Sequence, residues 1–171
     1  QIENLVNEFS DFARMPKPLI KENNLYEVIN ENIILLSKID SNIKIKLINH
    51  LHNKFLANFD YEQFNRLFFN LIKNSIESIQ EKAEKDNKID KNIDIEIRER
   101  RDYIIINILD TGIGFKDKKT KDLIKPYFTT KQKGTGLGLS IVDKIISDHN
   151  GSINFLNQNN GAKIQIIIPN K

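Results

Sequence analysis

One stretch limits this chain's folds more than any other. Phe64, Leu67, Phe68, Leu71, Ile72, Ser75, Ile76 and Ile79 recur at helical spacing and form one broad apolar stripe. Asp60 followed by Gln63 resembles a capping box at its start. A long helix with so wide an apolar face must lie against another layer. The rest of the chain supplies one. Ile43, Ile45 and Leu47 alternate with lysines, as in a half-buried strand. Ile93, Ile95 and Ile97 alternate in the same way, and a turn at Arg101-Asp102 leads into Tyr103–Leu109, too apolar for an edge strand. Two further strands, 152–156 and 162–168, flank a turn through Asn159-Asn160-Gly161.

Two more helices are expected. Leu25, Val28, Ile29, Ile33 and Leu36 mark one, with Asn24 as its cap. Leu139 to His149 marks the other, stopped by Asn150-Gly151. The charged residues 81–92 read as a solvated connection. Strands and helices mix without regular βαβ alternation. This predicts an α/β two-layer sandwich, a mixed sheet of about five strands on about three helices. At the N-terminus Ile2, Leu5, Val6, Phe9 and Phe12 form a short helix stub with an apolar seam. Pro16 and Pro18 end it. The stub reads as the end of a longer helix, residues 1–18 including the linker, ahead of a domain at 19–171.

Composition removes several chemistries. The chain has no cysteine, which excludes disulfides, thiolate metal sites and cysteine nucleophiles. Its three histidines lack metal-ligand spacing. Net charge is +3, weak support for a nucleic-acid partner, and none is expected.

Four features carry chemistry, each with a bland alternative. Gly134-Thr135-Gly136-Leu137-Gly138-Leu139 opens a helix, where free backbone N–H groups favour phosphate; glycines also serve ordinary turns. Asp110-x-Gly112-x-Gly114 ends an apolar strand. Its carboxylate is placed either to accept from an amino group such as that of adenine or to cap a tight turn. Asn70 and Asn74 share a helix face and suit Mg²⁺ as neutral oxygen ligands, although the chain holds 22 asparagines. Residues 116–133 carry seven lysines against two aspartates, either a mobile cover over phosphates or a solvated loop.

Asn-x3-Asn, Asp-x-Gly-x-Gly, Phe128-Thr129-Thr130-Lys131 and Gly-Thr-Gly-Leu-Gly-Leu follow one another in this order. The series resembles the catalytic ATP-binding domain of sensor histidine kinases, the GHKL or Bergerat-fold superfamily, over residues 24–169. Residues 2–18 are similar to the end of the dimerisation helix in NtrY-type nitrogen-regulation sensor kinases. The resemblance implies ATP and Mg²⁺ as cofactors. Asn74 would bind the metal and Asn70 would place metal and phosphates. Asp110 would accept from the adenine amino group, with Gly112 and Gly114 shaping the wall. Phe128 and Thr130 would belong to the lid anchor, and Lys131 would lie near the γ-phosphate. Gly134, Thr135, Gly136, Leu137, Gly138 and Leu139 would form the phosphate loop.

Two positions depart from the family pattern. Glu77 stands where lysine is common, with Lys73 as a substitute, and Ala162 stands where threonine is common. No His-Glu/Asp box surrounds His50, His52 or His149, so the phosphoacceptor is expected outside this chain. The implied activity is γ-phosphoryl transfer to a histidine of the parent's own dimerisation domain, in a homodimer, and onward to a response regulator of the NtrX type. The alternatives are a GHKL ATPase and a non-catalytic ATP-binding module. The implied location is cytoplasmic for this fragment, with the parent anchored in a bacterial inner membrane. The isolated chain is not expected to autophosphorylate.

Overall fold

The structure, a computed structural model, describes residues 15–49, 56–115, 120–127 and 136–170 together with Val6 and Ser10. Ile2, Leu5, Phe9, Phe12, His50, His52 and all of residues 128–135 lie outside the described residues.

The elements run β1 (Lys21–Asn24), α1 (Leu25–Leu36), β2 (Lys44–Asn49), β3 (Leu56–Phe59), α2 (Tyr61–Ala83), β4 (Asn92–Arg100), β5 (Tyr103–Asp110), α3 (Thr120–Leu123), α4 (Gly138–Asp148), β6 (Ser152–Gln158) and β7 (Gly161–Pro169). The main sheet has the order β2-β4-β5-β7-β6. Only its β2–β4 pair is parallel among the described strands. Strands β1 and β3 form a separate antiparallel ribbon that the apolar pattern did not signal. Both are four residues long, and one of them, KENN, has no alternation to read. The two-layer α/β sandwich expected from the sequence is the observed architecture.

The stripe on α2 is the spine of the core. Phe64, Leu67, Phe68, Leu71, Ile72 and Ile79 are fully buried, each contributing roughly 1.5–3 kcal/mol relative to exposure. Phe64 stacks on Phe59 at 4.5 Å and meets His149 edge-on at 4.8 Å. Asp60 caps the helix, its Oδ1 accepting from Gln63 N at 3.0 Å. The expected capping box is only half formed, because the Gln63 amide donates to Pro16 O instead of returning to the cap. Asp60 Oδ2 accepts from Leu19 N at 2.7 Å, so one carboxylate holds both the helix start and the linker. The Asp60 N–H in turn donates to His149 Nε2 at 3.0 Å, while His149 Nδ1 lies 2.7 Å from Ile145 O. His149 thus meets a helix-end carbonyl and also ties α4 to α2.

The sheet register explains the position of one polar group. Ile104, Ile106 and Ile108 point into the core, so period-2 geometry sends Asp110 the same way. Across the sheet its row continues as Ile93–Asp110–Ala162. The neighbouring row is Ile95–Ile108–Ile164–Phe155. Helix α4 ends in a Schellman arrangement, with Gly151 N bonded to Ile146 O and Asn150 N to Ser147 O. Asn150, not the glycine, takes the left-handed position at φ 55°.

Candidate functional site

The site is built along one edge of α2. Asn70, Asn74, Ser78 and Lys82 follow at four-residue intervals, with Ser75 one step toward the core. Helix α2 continues to Ala83, beyond the point where the sequence suggested a solvated connection. That extra turn brings Lys82 onto the same edge.

Asn70 lies at one end. Its Nδ2 donates to Arg66 O at 2.8 Å, and its Oδ1 faces the start of α4. A methyl group on Gly138 would come within 3.0 Å of that oxygen. Two motifs 68 positions apart in sequence therefore touch, and they do so because Gly138 has no side chain. The first turn of α4 has no side-chain cap. Its leading N–H groups and dipole end are thus arranged for an anion. Gly136 adopts φ 72° and Leu137 is fully buried, fixing the loop's exit into the helix.

Asp110 lies at the other end, only 6% exposed. Its Oδ1 accepts from Gly112 N at 2.9 Å and its Oδ2 from Ser75 Oγ at 3.0 Å. Burial pushes its carboxyl above the ordinary carboxylate range. Hydrogen bonds from Gly112, Ser75 and the Ala162 backbone oppose that shift, as does the charge of Lys82. The Asp110 loop lies against α2, with Ile113 N donating to Ser78 Oγ at 3.0 Å. On its other side Phe115 N donates to Asn157 Oδ1 at 2.7 Å, anchoring the loop to β6. Gly161, at φ 123°, passes so close that a methyl group there would meet Asp110 O at 1.8 Å. Only glycine satisfies both that backbone angle and that approach.

A cleft of about 470 Å³ opens beside this loop, lined by Lys82, Gly112, Gly114, Asn157, Asn159 and Gly161 among others. A larger cleft, about 630 Å³, lies near the start of α2 between Met15, Leu35, Gln63 and Phe69; none of the motif residues lines it.

The structure thus brings Asn70 to Gly138, places Asp110 and Gly112 against α2, and sets Gly114 against Asn157 and Gly161 of the β6–β7 hairpin. Lys73 is engaged elsewhere: it pairs with Glu77 at 3.9 Å and lies 5.9 Å from the Phe69 ring. Phe128, Thr130, Lys131, Gly134 and Thr135 lie outside the described residues. In the basic stretch, residues 120–127 include the short helix α3, and Leu123 is buried in the core. Ser78, Lys82 and Asn157 join the site without belonging to any of the four motifs. Ser78 and Lys82 were findable as the continuation of the Asn70–Asn74 edge, but Asn157 is one polar residue among many.

The donor set matters for a metal. Asn70 and Asn74 are neutral amides, and among the described residues no group of three His, Cys, Asp or Glu side chains is placed to hold an ion. Such a set does not cage a metal alone. It suits a hard cation that keeps water and phosphate oxygens, as Mg²⁺ does.

Comparison with known proteins agrees with this geometry. The family model described as "Histidine kinase-, DNA gyrase B-, and HSP90-like ATPase" matches residues 59–171. The nitrogen regulation protein NtrY of Azorhizobium caulinodans is 32% identical over 169 residues, covering 98% of this chain and 22% of that protein. Sporulation kinase E of Bacillus subtilis is 30% identical over 158 residues, covering 90% of this chain and 20% of that protein. The chain therefore spans about a fifth of the length of these relatives. Among solved structures, the catalytic domain of the histidine kinase ThkA superposes with a TM-score of 0.75 at 28% identity, over 88% of this chain and 95% of that one.

Proposed function

The chain belongs to the histidine kinase-, DNA gyrase B- and HSP90-like ATPase family, and on that premise we propose that it is the ATP-binding kinase domain of a two-component sensor histidine kinase. It would transfer the γ-phosphoryl of ATP to a histidine on a dimerisation domain. The observation that carries this reading is the neutral amide of Asn70 set against the uncapped start of α4. That is where phosphates are favoured, and no carboxylate stands at position 70 to activate water. Transfer is therefore favoured over hydrolysis, the reaction of the ATPase alternative.

Asp110 accepts from the adenine amino group, and Gly112 and Gly114 line the base. Asn74 holds Mg²⁺ together with the phosphates, and Asn70 orients both. Bound there, Mg²⁺ would neutralise charge on the β- and γ-phosphates. Gly134, Thr135, Gly136, Leu137, Gly138 and Leu139 present backbone N–H groups to the phosphates. Phe128, Thr130 and Lys131 belong to the lid, with Lys131 as the cation nearest the γ-phosphate. Lys73 remains a candidate phosphate contact, which would require it to leave Glu77. Residues 1–18 are the end of a dimerisation helix with its linker, and 19–171 the catalytic domain. The bonds from Gln63 to Pro16 O and from Leu19 N to Asp60 support a linker docked at the start of α2.

The phosphoacceptor domain is the parent's own, in a homodimer. The onward partner is a response regulator of the NtrX type, and the parent is anchored in the bacterial inner membrane. Among the described residues no helix is long and apolar enough to cross one.

The test mixes this chain with ³²P-labelled ATP and a separately prepared acceptor-histidine domain. Phosphohistidine on the added domain is expected, and none on the chain alone. Confirmed ATP binding without transfer would favour a non-catalytic binder. Phosphate release to water faster than transfer would favour the ATPase.

A further inference from the structure

We infer that Lys82 is a positioning residue of the purine pocket: it ties the 110–114 loop to the β6–β7 turn and so sets the preference for a 6-amino over a 6-oxo purine. The inference rests on the proposed role of Asp110 as the acceptor for adenine.

Lys82 joins two distant pieces of chain. Its Nζ donates to Thr111 O at 2.9 Å and to Asn160 Oδ1 at 2.5 Å. Thr111 directly follows the carboxylate, and Asn160 directly precedes the Gly161 that abuts Asp110 O. Movement of that turn would therefore move the backbone that carries the carboxylate. Thr111 is also pinned on its far side, its N–H donating to Asn92 O and its Oγ1 accepting from Asn92 N. Lys82 completes the enclosure from the helix side.

Lys82 also acts through its charge. Facing Asp110 are Ser75 and Lys82 from α2, the Ala162 N–H from β7 and the Gly112 N–H of its own loop. Lys82 is the charged group among these. Burial raises the pKa of Asp110; the hydrogen bonds from Gly112, Ser75 and Ala162 oppose that rise first, and the positive charge of Lys82 adds a smaller push the same way. An ionised carboxylate attracts a 6-amino group and repels a 6-oxo group, so discrimination depends on that charge. A purely structural alternative exists, since a lysine in the last turn of α2 also complements the helix dipole. That role would alter stability without altering base preference.

The experiment measures equilibrium binding of ATP and inosine triphosphate from about pH 5 to pH 8, with wild type, Lys82→Met, Lys82→Arg and Asn160→Ala. Wild type is expected to prefer ATP. Lys82→Met is expected to lose about tenfold in ATP affinity, the loss of one charge-supported hydrogen bond, with little change for inosine triphosphate. ATP binding requires the ionised carboxylate, so affinity falls as the pH drops through the native pKa of Asp110. Without Lys82 that fall begins at higher pH. Lys82→Arg restores the preference.

A folded Lys82→Met protein with an unchanged ATP preference and an unchanged acid limb overturns the inference. If Lys82→Met does not fold, Asn160→Ala decides the tether. It removes one anchor and keeps the charge, so a weakened ATP preference with the acid limb in place supports the tether, and an unchanged preference overturns it. Wild type binding neither nucleotide would refute the proposed function itself, and the inference with it.

Discussion

Replacing Asp110 by asparagine is expected to weaken nucleotide binding while leaving the fold as stable or more so. The substitution keeps nearly the same shape. Its Oδ1 still accepts from Gly112 N, and Ser75 Oγ can turn to accept from the new amide where it now donates to Oδ2. What disappears is the charged acceptor. A hydrogen bond to a charged group is worth about 1.5–3 kcal/mol, so ATP should bind roughly 10- to 150-fold more weakly. Stability moves the other way because the largest influence on this carboxyl is desolvation, which raises its pKa above the unfolded value. The sign follows from proton linkage. A raised native pKa means a stabilising contribution that is full below the unfolded value, about 3.9, and lost as the pH rises through the native value. At neutral pH the ionised, buried Asp110 is therefore a cost that asparagine removes. The variant should also lose this group's share of the pH dependence of melting between those two values. Calorimetric ATP titration and thermal melts from about pH 3.5 to pH 7.5 read both effects. ATP affinity within about twofold of wild type, or a melting temperature lowered by more than about 2 °C, would refute the reasoning.

Two further substitutions separate stability from function. Asp60→Ala removes the α2 cap and the Leu19 contact. Together these are worth about 2 kcal/mol, a drop of roughly 4–8 °C in Tm for a domain of this size; Asp60→Asn should recover much of the cap, and circular dichroism melts compare the two. Gly138→Ala places a methyl group 3.0 Å from Asn70 Oδ1. Alanine's helix preference, at most about 1 kcal/mol, is offset by that contact, so Tm should change little while ATP affinity and phosphoryl transfer fall; nucleotide titration beside a melt checks the split.

Much of this protein was legible residue by residue. The α2 stripe, the alternating isoleucines and the two-residue turns are local patterns, and the elements they mark formed where expected, although α2 ran a turn further and the β1–β3 ribbon carried no such pattern. The motif order identified the family because each box keeps its own local chemistry. Asn24 and Asp60 became caps because an asparagine or aspartate before an apolar run has few better uses. Even the inward direction of Asp110 follows from counting alternate residues back to Ile104.

Relations between distant segments were not legible. No local pattern shows that Gly138 rests on Asn70, that Gly161 abuts the backbone of Asp110, or that His149 accepts from the N–H of Asp60. Lys82 illustrates the reason. In sequence it belongs to a charged run with every mark of a solvated connection, and Lys73, nearer the asparagine box, looked the better phosphate ligand. Folding continued α2 one turn further and gave Lys82 two oxygen partners from loops 29 and 78 positions away, while Lys73 turned to Glu77. Periodicity and capping are short-range properties, so the sequence alone determined the elements, the family and the types of chemistry present. The partner of a long, flexible charged side chain depends on which surfaces the core brings together, and only the tertiary structure decided that.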